Sequence, residues 1–317
     1  MTKLLADALL PIFAGLLLGY CGGLWRRMDN QNVKTLITFV MSFAIPCSLF
    51  LAIARTPRAA LRGQAVSALA LAVVYLVVYV LSFVWTRSKE DLTNADSSVV
   101  ALTLAFPNSA AVGLPVLLSV FGPLSTVTVA TSLAIGAITV SPLTLAMLES
   151  NGNGQPGGAA LKAFAFAVPR SLKRPIVWAP LLGLVFSCTG VDLPSFIHRS
   201  LAVIGSASDG SALVLTGLVV SAQEFEIGRS ALIAVFLKNA FQPAIALGVC
   251  LLLHLPTAQM RYVILISAMP CGFFGTVFGE GFGSSPKLAS SGLIASYLIG
   301  IGTLAAWIVI VDHLGLK

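Results

Sequence analysis

Two stretches of this chain place proline, glycine and a polar side chain inside otherwise apolar segments. The first is Ala105-Phe106-Pro107-Asn108-Ser109-Ala110-Ala111-Val112-Gly113-Leu114-Pro115, and the second is Met269-Pro270-Cys271-Gly272-Phe273-Phe274-Gly275-Thr276. Proline removes a backbone donor and its ring clashes with the preceding turn, so a helix running through either stretch should open there. Opened backbone inside a membrane is tolerated only where protein or a water-filled cavity satisfies its polar groups. Half-helix starts presented at such a place carry free N–H groups and partial positive charge, which suits a carboxylate. One break alone reads as a packing kink. Two breaks at matching places point to a single central site, built from Pro107, Asn108, Ser109, Pro270, Cys271 and Gly272.

Two ionisable residues also fall deep in apolar segments. Asp209 lies about ten residues into its segment and Lys238 about nine into the next, so each sits roughly 14 Å down. Charges at that depth are costly and either pair or face water. The functional readings are that Lys238 assists anion binding or that Asp209 titrates with coupled protons. The structural readings are a charge pair or two separately solvated groups.

The segments that must position these residues are membrane spans. Of 317 residues, 57% are hydrophobic and 10% are charged, against about 25% charged in soluble domains, and the mean hydropathy is +0.95. Stretches of roughly 20 apolar residues, enough for a hydrocarbon core of about 30 Å, fall at 4–24, 33–53, 64–86, 97–120 and 125–148. A second set falls at 175–190, 198–221, 229–253, 260–282 and 289–312. The first span is retained rather than cleaved, because Gly22-Gly23-Leu24-Trp25-Arg26-Arg27 reads as a membrane boundary without a small-x-small cleavage site.

The chain is also written twice, at an offset of about 164 residues. Pro11-Ile12 meets Pro175-Ile176, Gly19 meets Gly183, Ser132 meets Ser296, Gly136 meets Gly300, and Pro107 meets Pro270 with a slip of one. Five spans per copy is an odd number, so the copies cross in opposite senses and form an inverted repeat. The expected organisation is a first repeat at 1–148, a linker at 149–174 with the flexible Asn151-Gly152-Asn153-Gly154 run, and a second repeat at 175–317. Seven flanking lysines and arginines lie on one face and eleven on the other, which puts the linker in the cytoplasm and both termini outside an inner membrane.

Several function classes are disfavoured. Cys21, Cys47, Cys188, Cys250 and Cys271 lack metal spacing, and His198, His254 and His313 form no ligand cluster. There is no phosphate-binding GxxxxGK[ST] loop for a primary pump, no acid/base or metal set for an intramembrane enzyme, no aromatic-interleaved basic stripe for nucleic acid, and no cofactor motif. Gly15, Gly19 and Gly23 form a small-residue ladder on the first span, read as close helix packing or a dimer contact.

At the two breaks the chain resembles the auxin efflux carrier family, which includes plant PIN proteins and bacterial malonate-type carriers. Pro107-Asn108-Ser109 with Gly113-Leu114-Pro115 is similar to its P-N-T/S-x-x-x-G-x-P crossover, and Pro270-x-Gly272 through Phe278-Gly279-Glu280 to its ninth-helix stretch. Phe43-Ala44-Ile45-Pro46 resembles its second-helix motif, and Lys238 through Pro243 its eighth-helix basic residue and proline. The resemblance implies an all-α integral membrane fold of ten helices in a 5+5 inverted repeat, with broken crossover helices four and nine. It also implies a scaffold part from helices 1, 2, 6 and 7, a moving part from 3 to 5 and 8 to 10, a homodimer, and elevator-type movement of an organic anion. Asn108 matches the asparagine that holds the substrate carboxylate, and Pro46 joins the candidate site. Cys271 stands where PIN proteins often have Gln and Gly279 where they have Lys, which favours a small malonate-like carboxylate over auxin. The alternative is a sodium-coupled organic-anion symporter of the bile-acid type.

Overall fold

The computed structural model describes residues 2–55, 63–151, 175–191, 193–222, 226 and 228–314. Most of the expected linker, residues 152–174, lies outside them. In chain order the helices are α1 (Thr2–Leu24), α2 (Lys34–Phe39), α3 (Ile45–Ala54), α4 (Gln64–Lys89), α5 (Asn94–Ala105), α6 (Leu114–Phe121), α7 (Thr126–Ile138) and α8 (Val140–Asn151). The second half gives α9 (Pro175–Thr189), α10 (Ser195–Ser206), α11 (Ser208–Ser221), α12 (Arg229–Val235), α13 (Gln242–Leu252), α14 (Thr257–Ser267), α15 (Phe274–Gly281) and α16 (Lys287–Leu314).

Six helical stretches among the described residues are long and apolar enough to cross a membrane: Lys34–Leu51, Gln64–Lys89, Pro123–Leu148, Ser195–Ser221, Arg229–Leu252 and Lys287–Leu314. They coincide with the second, third, fifth, seventh, eighth and tenth expected spans. The fourth and ninth do not qualify because each is interrupted, between Ala105 and Ser109 and between Ser267 and Phe274. The first falls on α1, and the sixth on α9, whose 15 residues reach only about 22 Å.

Three π-helical segments, Val40–Ala44, Ser109–Gly113 and Phe236–Phe241, share one sequence cause. Each is followed by an α-helix whose second residue is proline: Pro46 in α3, Pro115 in α6 and Pro243 in α13. The wider turn eases the ring's clash with the turn before it, and the chain then restarts as a new helix whose first amides need no partner. Only Pro107 opens the first stretch fully; Pro115 is absorbed this way, so the break is shorter than its two prolines predict.

The chain divides into two compact units, neither of which is a sequence half. One comprises Met1–Val66, Ser109–Ala134 and Leu172–Gln223. Inside it α1 lies along α11, while α9 and α10 pack on α3. Gly15 and Gly19 bring the α1 backbone against Leu213 and Val214, Gly23 meets Leu218 and Ser221, and Gly217 answers from α11 against Leu16. The small-residue ladder is thus used for close packing within the chain. Phe50 meets Phe186 edge-on, with ring centroids 5.6 Å apart, in a cluster with Leu51 and Ala179.

The other unit comprises Ser67–Asn108, Ile135–Ser171 and Glu224–Lys317. Its central element is α5, buried at Ala95 and then continuously from Ser97 to Ala105, as expected of a helix enclosed on all sides. Thr93 caps its start, accepting from the Asp96 N–H at 3.1 Å, and Ser284 holds the Asp96 carboxylate at 2.6 Å. α15 lies against α5 where Gly275 and Gly279 face Val99 and Thr103. In contrast, α4 buries one stripe, including Leu71, Val74, Tyr75 and Val78, and exposes Val77, Val80 and Val84.

Gly19→Val should destabilise the first unit, because a side chain there meets the Val214 carbonyl. The expected loss is about 1–3 kcal/mol, read as a lowered unfolding midpoint of the detergent-solubilised protein. An unchanged midpoint contradicts the packing.

Candidate substrate site at the paired helix breaks

The two interruptions satisfy one another. Phe106 leaves α5 in an extended conformation (φ −98°, ψ 105°), the conformation that a following proline favours. Asn108 N–H then donates to the Pro270 carbonyl and Gly272 N–H to the Phe106 carbonyl, both at 2.9 Å. Pro107 and Cys271 face each other as a single antiparallel bridge. Gly272 is required by this approach, since a Cβ there collides with the Phe106 carbonyl oxygen.

Residues 164 positions apart in the sequence make comparable contacts beside the two breaks. Gly136 makes room for the ring of Phe106, and its counterpart Gly300 for Pro270, whose Cγ lies 3.2 Å from where a Cβ would be. Ser296 Oγ accepts the Cys271 N–H at 3.0 Å and donates to Asn239 Oδ1 at 2.7 Å. Its counterpart Ser132, in the other unit, bonds Ser109 across 2.6 Å. The rings of Phe106 and Phe274 stack with centroids 4.9 Å apart, placing an aromatic pair beside the bridge.

Asn108 is buried and its Nδ2 donates to Tyr297 Oη at 2.6 Å. The amide and the phenol form a polar pair next to the bridge, with donors of the kind a carboxylate recruits. Lys238 is fully buried on the π-helical segment before α13. Its ammonium donates to Gln242 Oε1 at 2.7 Å and to the carbonyl of Ser267, the last residue of α14, at 3.2 Å. Gln242 Nε2 donates in turn to the carbonyl of Ala105, the last residue of α5, at 2.9 Å. Lys238 and Gln242, one helical turn apart, therefore cap the C-termini of both interrupted helices. The carbonyl of Asn239, which Pro243 deprives of its helical donor, accepts from Trp307 Nε1 at 3.0 Å.

Pro107, Asn108, Pro270, Cys271 and Gly272 thus come together within one unit. Cys271 contributes its backbone, while its thiol lies 3.9 Å from the Gly292 carbonyl. Ser109 and Pro46 belong to the other unit. There a cavity of about 10 Å³, room for about one water, is lined by Ile45, Ser48, Leu49, Ala110, Leu114, Ser208 and Ala212. Asp209 falls in α11, with its side chain outside the described residues. Gly279, where the resembled family has Lys, has no room for a side chain against Ser284 and Val99. Sequence reasoning missed Asn239, Gln242, Ser296 and Tyr297. The run Lys238-Asn239 followed by Gln242 in an apolar span was the available signal for two of them, because polar residues at that depth are costly unless used.

Gln242→Leu removes one acceptor from a buried ammonium and the donor to the Ala105 carbonyl. The expected cost is about 2–5 kcal/mol, measured as a fall in unfolding midpoint, whereas a neutral result removes the capping role. Gly272→Ala should separate the breaks and abolish function with a similar loss of stability; a fully active, fully stable variant contradicts the bridge.

Residues 4–158 and 159–308 match the family model described as membrane transport protein. The uncharacterized transporter YfdV of Escherichia coli K12 is 28% identical over 312 residues, covering 97% of this chain and 98% of that protein. Auxin efflux carrier component 8 of Arabidopsis thaliana is 22% identical, covering 96% and 97%. An uncharacterized transporter of Methanothermobacter thermautotrophicus is also 22% identical, with the same coverage of each chain. With the family model matched along both halves of an all-helical chain of apolar spans, this protein belongs to the membrane transport protein family, that of the auxin efflux carriers, and is a multi-pass membrane transporter.

Proposed function

We propose that this transporter is a secondary carrier for a small organic anion, a malonate-like carboxylate, working by elevator-type alternating access. The observation that carries the reading is the mutual pairing of the two breaks beside Asn108. Backbone pairing there supplies a fixed frame, and the Asn108 amide with the Tyr297 hydroxyl supplies the hydrogen bonds that orient a carboxylate. The unit containing Asn108 changes its depth in the membrane with the anion bound.

The wider organisation proposed with this mechanism is a 5+5 inverted repeat of ten spans in the inner membrane, with repeats at 1–148 and 175–317, a cytoplasmic linker at 149–174, both termini outside, and a homodimer. Three features support the duplication. The interrupted spans occupy equivalent places in the two halves, Gly136 and Gly300 both flank breaks, and Ser132 and Ser296 both bond residues just past them. A relative named as an auxin efflux carrier supports organic-anion cargo.

Labelled malonate uptake into liposomes containing the purified protein tests the reading. Saturable uptake is expected, reduced about ten- to hundredfold in Asn108→Ala through loss of a hydrogen bond to a charged group. Equal uptake by the variant contradicts the assigned role of Asn108. No uptake of malonate or of a wider carboxylate panel by folded protein removes the substrate assignment. Imposed pH, sodium and voltage gradients identify the coupling, and strict dependence on sodium favours the bile-acid-type symporter instead.

A further inference from the structure

Lys238 Nζ is buried among neutral hydrogen-bond partners. Its two acceptors, Gln242 Oε1 and the Ser267 carbonyl, both lead to a helix C-terminus: that of α14 directly and that of α5 through Gln242 Nε2. Each C-terminus carries about half a negative charge, so the pair together offers about one, matching the ammonium. Helix dipoles hold that charge in place without cancelling it, because each helix carries the opposite half at its far end. Other described charges of this unit lie near helix ends, including Arg87, Lys89, Asp96 and Arg229. Arg261, in the second turn of α14, pairs with Asp312 at 3.1 Å.

We propose that Lys238, kept protonated by these two helix-terminal acceptors, is the fixed countercharge that travels with the transported anion. The idea rests on the elevator reading above. When the unit crosses the field empty it carries the lysine's positive charge; with a monocarboxylate bound, the two charges cancel and the crossing is electroneutral. A dicarboxylate leaves one negative charge. Voltage therefore acts on the return of the empty carrier when the substrate is a monoanion. The net charge moved per cycle is still that of the substrate, so Lys238 decides which step feels the voltage.

Charge displacement in bilayers containing the full-length protein, stepped in voltage with no substrate present, tests this directly. Wild type and Lys238→Arg should displace up to roughly one elementary charge per carrier, because a unit charge crossing the full field redistributes about fiftyfold for a potential of about 100 mV. Lys238→Met should displace close to none while remaining monodisperse. Equal displacement by Lys238→Met, or none by any form, overturns the proposal.

A second measurement needs no variant. Under a potassium-clamped potential, exchange of labelled monomethyl malonate, a monoanion, should be insensitive to voltage, and exchange of the malonate dianion sensitive. The reverse order overturns the proposal. Saturable uptake with Lys238-independent charge movement sinks the countercharge alone. Lys238-dependent charge movement without carboxylate uptake sinks the substrate assignment alone.

Discussion

A chain that interrupts a helix within hydrocarbon must find partners for the backbone it exposes, and in this protein each interruption is the other's partner. The reciprocal bonds between Asn108 and Pro270 and between Gly272 and Phe106 convert two costly defects into one paired element. The remaining exposed carbonyls follow the same constraint. Ala105 and Ser267 end their helices with buried acceptors, and Gln242 and Lys238 supply the donors. Asn239 loses a donor to Pro243 and regains one from Trp307. Even the glycines serve this requirement, since Gly272, Gly136 and Gly300 allow backbone and rings to approach closely enough to bond or stack.

The constraint also explains what the sequence made legible. Proline inside an apolar span has few causes, so the breaks at Pro107 and Pro270 were readable, and so was their convergence. The six uninterrupted spans follow directly from length and hydropathy. Pro46, Pro115 and Pro243 were less readable as individuals, because a proline can end a helix or be absorbed by a π turn, and the outcome depends on what surrounds the freed carbonyl. Asn108 was found through a family motif, whereas its partner Tyr297 lies 189 positions away. A hydroxyl on one helix face is ordinary in sequence and acquires meaning only when another element is brought against it. Asn239 and Ser296 are the same case.

The compact units are not the two sequence halves. Each unit takes segments from both sequence halves, and the boundary between them passes directly after Asn108, at the break itself. The break is thus both the place where backbone donors become available and the place where the chain passes from one compact unit to the other.

The two breaks pair through matched backbone bonds, yet the side chains around them are unsymmetrical. At the offset of about 164 residues, Lys238, Asn239 and Gln242 correspond to Val74, Tyr75 and Val78 of α4, all buried. The second half has an amine and two amides where the first has two valines and a tyrosine. Two helix C-termini offer together about one negative charge, enough to hold one ammonium, while a second placed nearby would face like-charge repulsion at low dielectric. Tyr75 packs against Phe106, with ring centroids 5.9 Å apart, so α4 supports the break by apolar contact. A single basic side chain, with the amide one turn on, thus serves the ends of two helices at once.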